Sequence, residues 1–151
     1  MPDLELIDRL VATYRILNHT VRHRPEADLE RGEASARLII RKLRNDELHF
    51  SQNLKARISG QAVGLDDTEG QRDFGTAGLQ STTAELIAQF GTARESTLAM
   101  LRSLPDDQWD VTGDYPRSIR TEVFELVDHD RQVLDALGKV LGESLIEATP
   151  A

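Results

Sequence analysis

Cysteine is absent from the 151-residue chain. Disulfides, zinc–thiolate sites and a cysteine nucleophile are excluded together. Aromatic residues make up only 5% of the sequence, beside 39% hydrophobic and 29% charged residues. That balance fits a single globular domain with an aliphatic, helix-built core better than a β-sandwich. No apolar run approaches the roughly 18 residues a membrane-spanning helix needs. The opening MPDLELIDRL is acidic and already periodic, unlike a secretory leader. A cytoplasmic protein is therefore expected. Basic residues are outnumbered, 18 Lys and Arg against 26 Asp and Glu, for a net charge of -8. A general nucleic-acid binder needs a basic footprint, and only RHRPE and RLIIRKLR offer a local one. Also missing are a G-x-S-x-G elbow, a phosphate-cradling glycine loop and an H-E-x-x-H pair.

What is present is helical period. Residues 3–23 carry Ile7, Leu10, Tyr14, Leu17 and Val21 on one stripe, with Pro2 and Asp3 before it and Pro25 after it. Residues 33–59 align Ala36, Ile39, Ile40, Leu43, Phe50, Leu54 and Ile58, and Gly60 closes the segment. The stretch 60–80 holds five of the ten glycines and no sustained period, which reads as a long crossover. A third segment, 81–104, opens with a Ser or Thr cap before Glu85 and aligns Leu86, Ile87, Phe90, Thr97, Leu98, Leu101 and Leu104. A turn-rich connection follows, which Trp109 is expected to pin to the core. The fourth segment runs over 118–141. Four amphipathic helices with a long second connection predict an all-α four-helix bundle, one domain over 1–151.

Three charged residues fall on the apolar stripes. Glu47 lies between Leu43 and Phe50, Arg94 between Phe90 and Leu101, and Asp130 between Leu126 and Leu137 in FELVDHDRQVLDAL. A lone buried ion is costly, whereas an arginine fork can satisfy carboxylates, so a compensated cluster is expected. The simpler reading is an internal salt bridge that fixes helix register. The functional one is a polar pocket. His129, beside Asp130, combines with Asp130 and Glu47 into the residue types of a bundle metal site, although the spacing does not require one. His19 and His23 have i, i+4 spacing but lie opposite the apolar stripe, on a solvated face. His49 lies off its own helix's core centre and receives no role.

The segments SARLIIRKLRNDELHFSQNL, LIAQFGTARESTLAMLRSLPDDQWD and SIRTEVFELVDHDRQVLDALGKVL, after an opening helix, resemble the DinB-like superfamily of damage-inducible and YfiT-like proteins. The resemblance implies a four-helix bundle of unusual connectivity, often a homodimer. It also implies three histidines on one nickel or zinc ion, one from a second-helix motif ILAHLADxE and two from H-x-x-x-H on the fourth helix. Characterised members include transferases and isomerases that use low-molecular-weight thiols. In this chain the three positions are Lys42, His129 and Val133, so one ligand of three remains, and a protonated ammonium cannot ligate. Glu47 matches the acid that follows the second-helix histidine.

These readings combine into one expectation. The protein is a DinB-like bundle with a degenerate metal site and no cofactor, with nickel or zinc as the alternative. Its pocket candidates are Lys42, Glu47, Arg94, His129 and Asp130, with Lys42 taking over the electrostatic role of the metal. It binds a small molecule or a protein, including a second copy of itself, and neither nucleic acid nor membrane. A thiol-dependent transferase or isomerase with a repurposed site, and a structural stress-response protein, are the alternatives.

Overall fold

The computed structural model describes residues 3–60 and 81–145, and among these all regular structure is helical, with no strand. Helix α1 spans Leu4–Val21, and the Asp3 side chain accepts from the Leu6 amide at 3.2 Å. Helix α3 spans Ala36–Ser59, with Ser35 accepting from the Leu38 amide at 3.2 Å and Gly60 closing it at φ 75°. Helix α4 spans Thr83–Ser103 behind a capping box of Thr82 and Glu85, and helix α5 spans Ile119–Leu141 behind Ser118. Each cap satisfies an amide that would otherwise lack a partner, which is why the helices start where they do.

Two details differ from the expectation. Pro25 does not lead straight into loop: it is the N-cap of a one-turn helix, α2, over Glu26–Leu29, which buries Leu29. One turn is too short to show a period, so nothing in the pattern announced it. The second long helix starts at Ala36 rather than 33, because Ser35 is its cap. The crossover expected over 60–80 lies, beyond Gly60, outside the described residues.

The principal contacts of α4 are with α3 and α1, and those of α5 are with α1 and α3. Each long helix thus has two close neighbours among the other three. Their inward stripes form two apolar clusters. One centres on Leu17, Ile40, Leu86, Phe90 and Leu137, and the other on Leu10, Leu54, Leu98, Leu101, Trp109 and Val123. Fully burying each such side chain stabilises the fold by about 1.5–3 kcal/mol. Trp109 does pin its connection: it is fully buried, its carbonyl accepts from the Arg120 amide at 2.9 Å, and the Arg120 guanidinium lies over its ring at 5.4 Å. Two stripe residues depart from expectation. Ile58, in the last turn of α3, is exposed, and on α1 Thr13 rather than Tyr14 is fully turned inward.

Candidate functional site

The two apolar clusters do not merge, because a layer of polar side chains separates them. Every long helix contributes to it at the corresponding height of its stripe. Thr13 follows Leu10 on α1, Glu47 follows Leu43 on α3, Arg94 lies between Phe90 and Leu98 on α4, and Asp130 lies between Leu126 and Leu134 on α5. Arg94 is the hub. Its Nη1 donates to Asp130 Oδ2 at 2.8 Å and to the Leu10 carbonyl at 2.9 Å. Its Nη2 donates to Glu47 Oε1 at 2.8 Å and to Asp130 Oδ1 at 3.0 Å. Two hydroxyls also donate to the carboxylates. Thr97 donates to Glu47 Oε2 at 2.8 Å, and Thr13 donates to Asp130 Oδ2 at 2.7 Å.

Arg94 and Glu47 are each 1% exposed and Asp130 3%. Desolvation alone would pull the Arg94 guanidinium down. The charges of Asp130 and Glu47, and their hydrogen bonds, outweigh it and raise the group above its ordinary value. The Phe90 ring, its centroid 4.9 Å from the guanidinium carbon, adds a cation–π contact. Chemically, this arrangement holds charge in place. Every carboxylate oxygen already accepts a hydrogen bond within the protein, and both acids are buried, so neither faces an accessible site.

Lys42 and His129 belong to a different group. Lys42 is not in the layer: its side chain is 73% exposed and pairs with Asp46 at 2.9 Å. Five residues separate Lys42 from Glu47, which turns the two about 140° apart around α3. The expected balancing of the buried acids by Lys42 is therefore corrected: Arg94 balances them. Asp46 Oδ2 also meets His129 Nε2 at 3.1 Å, making a bridge between α3 and α5 on the half-exposed rim beside the layer. The hydrogen bond to Asp46 raises the His129 imidazole. Burial opposes this, the charges of Asp46 and Asp130 add to it, and Lys42 opposes it. Burial would raise Asp46, but its hydrogen bonds to His129 and Lys42 bring it below the usual carboxylate range.

Of the five residues singled out in the sequence, the structure thus brings Glu47, Arg94 and Asp130 together, and sets Lys42 and His129 apart from them. Two participants, Thr13 and Asp46, were missed, and Thr97 was placed on the apolar stripe without a part in the cluster. A threonine suits either helix face and carries no charge to single it out. Asp46 lies outside the apolar stripe, where an acid is unremarkable; its i, i+4 spacing from Lys42 was the one available signal.

The residues present do not fit the nickel or zinc centre that the resemblance implies. Val133 has no donor atom, Lys42 is an ammonium paired with Asp46, and Glu47 and Asp130 are buried and bound to Arg94 and the two threonines. The combination of His129, Glu47 and Asp130 does not converge either. Among the described residues, no three His, Asp or Glu side chains stand together as a ligand set. His19 and His23 are exposed, as their place opposite the stripe implied. Among the described residues, too, no helix is long and apolar enough to cross a membrane.

The described cavities lie away from both groups. A polar one of about 420 Å³ is lined by Arg37, Ser81 and Thr82 among others. A more apolar one of about 320 Å³ is lined by Ile58, Met100 and Leu104 among others. Comparison of the chain with family models, with curated proteins and with solved structures gives no match in any of the three.

Proposed function

We propose that this protein is a cytoplasmic DinB-like four-helix bundle with a degenerate metal site, and that it works as a binding module rather than as a metal-dependent transferase or isomerase. The observation that carries the reading is the internal engagement of the buried acids. Glu47 and Asp130 spend all four carboxylate oxygens on Arg94, Thr97 and Thr13. An enzyme of the thiol-transferase type would need such groups to face a ligand or a metal.

On this reading the protein meets its partner at the exterior. Phe124 and Leu4 are 65% and 57% exposed; Leu4 follows Asp3 and Phe124 lies one turn after Arg120, the two members of the ion pair (2.6 Å) that joins the starts of α5 and α1. Exposed apolar side chains beside an ion pair suit a protein surface, and self-association is the first case to examine.

Two measurements test the reading. Elemental analysis of tag-free protein, with thermal melts in nickel, zinc, manganese and chelator, should give no stoichiometric metal and no chelator-reversible shift. Bound metal with a raised melt would return the protein to the enzymes. Sedimentation equilibrium of the wild type and of Phe124→Asp should show self-association that the substitution weakens. Two equally monomeric samples would remove the second copy as partner.

A further inference from the structure

Large apolar side chains recur one turn away from the charged residues of the layer. One turn to either side of Asp130 stand Leu126 and Leu134, one turn before Glu47 stands Leu43, and one turn to either side of Arg94 stand Phe90 and Leu98; all five are buried. Sliding α4 or α5 by a turn, about 5.4 Å, would still set large apolar side chains against the layer, whereas on α3 the buried residue one turn after Glu47 is Ser51. The polar layer has no such tolerance. A slip of α5 by one turn would set a leucine against the Arg94 guanidinium and leave Asp130 inside an apolar cluster. A slip of α1 would carry away both the Leu10 carbonyl and the Thr13 hydroxyl.

We infer that the Arg94 layer is the register lock of the fold: it selects one vertical alignment and one set of neighbours for the four long helices from alternatives that the apolar side chains alone leave close in energy. The hub is suited to this because its bonds run in different directions. Arg94 reaches a backbone carbonyl on α1, a carboxylate on α3 and a carboxylate on α5, so a shift of any of the three breaks a bond to a buried charge. A buried polar group that specifies alignment at some cost in stability is a known device of helical assemblies.

The absence of cysteine makes the test direct. Spin labels are placed on two pairs of exposed positions at opposite ends of the structure, Ser103→Cys with Ala136→Cys and His19→Cys with Lys55→Cys. Distances are measured by pulsed electron resonance in the otherwise wild-type chain and in the variant Arg94→Met/Glu47→Leu/Asp130→Leu. The lock predicts one narrow distribution per pair in the former. In the latter, with helical circular dichroism retained, it predicts a broadened or split distribution, displaced by up to about one helical turn. Unchanged narrow distributions in the apolar variant would overturn it. Should that variant lose its helical signal, the near-isosteric Arg94→Met/Glu47→Gln/Asp130→Asn chain supplies the same two outcomes.

Discussion

The Arg94 layer and the Lys42–Asp46–His129 rim are built from the same chemistry on neighbouring faces of the same helices. In both, a carboxylate of α3 takes part in a link to α5. They differ in water. Around Arg94 the solvent is gone, the bonds are charge-assisted and multiple, and the removal of one partner leaves the others stranded. On the rim Lys42 is 73% exposed and Asp46 36%, so water replaces whatever a substitution removes. The contrast teaches that charge on a helix stripe says little until its depth is known. Of the two cations, Lys42 lies in water and Arg94 does not.

Substitutions should widen that contrast or collapse it. The largest expected effect is that of Arg94→Ala, which leaves two carboxylates buried without their cation. Urea unfolding should register a loss of about 3–5 kcal/mol, the range for breaking a buried pair from one side. Next comes Thr97→Val, which keeps the shape but strips Glu47 Oε2 of its donor. About 1–3 kcal/mol is expected, read from the shift of the midpoint at constant slope.

The rim should respond to pH, and modestly. The imidazole of His129 is raised in the folded state, so its contribution is complete below the unfolded value of 6.5 and fades as pH rises through the folded one. Asp46 is lowered, so its contribution is present above the unfolded 3.8 and is lost as pH falls through its folded value. The stability difference between wild type and His129→Gln should therefore be greatest between about pH 4 and 6.5 and shrink above that. A difference that grows with pH would reverse the assignment. Smallest of all is Lys42→Ala, expected to cost less than about 1 kcal/mol and to be salt-sensitive. A loss comparable to that of Arg94→Ala would place Lys42 back among the buried charges.

Much of this was legible in the chain. The helices could be read because long amphipathic segments repeat their period many times, and because Asp3, Thr82 and Ser118 are residues that cap, although Ser35 was passed over. Glu47, Arg94 and Asp130 stood out because a charge in the middle of a leucine stripe has no other place to go. A compensated cluster could be expected of them, but its geometry was not legible: a stripe gives the direction of a side chain around its helix, and says nothing of the height at which two helices pass each other. Lys42 was drawn into the same site by its position in a motif, although its angle around α3 from Glu47 already pointed it elsewhere. Thr13 went unnoticed for the opposite reason, since a threonine on a helix is unremarkable until an acid from another helix lies 2.7 Å away.

The central claim, that the charged cluster belongs to the packed core and is not a working site, is tested most directly by one pair of unfolding curves. Arg94→Met alone and Arg94→Met/Glu47→Leu/Asp130→Leu are compared with wild type in urea. The account predicts a large loss for the single variant and recovery to near or above wild-type stability for the triple, because the stranded acids are gone and apolar packing replaces them. A triple variant as unstable as the single one, or a single variant indistinguishable from wild type, would contradict it.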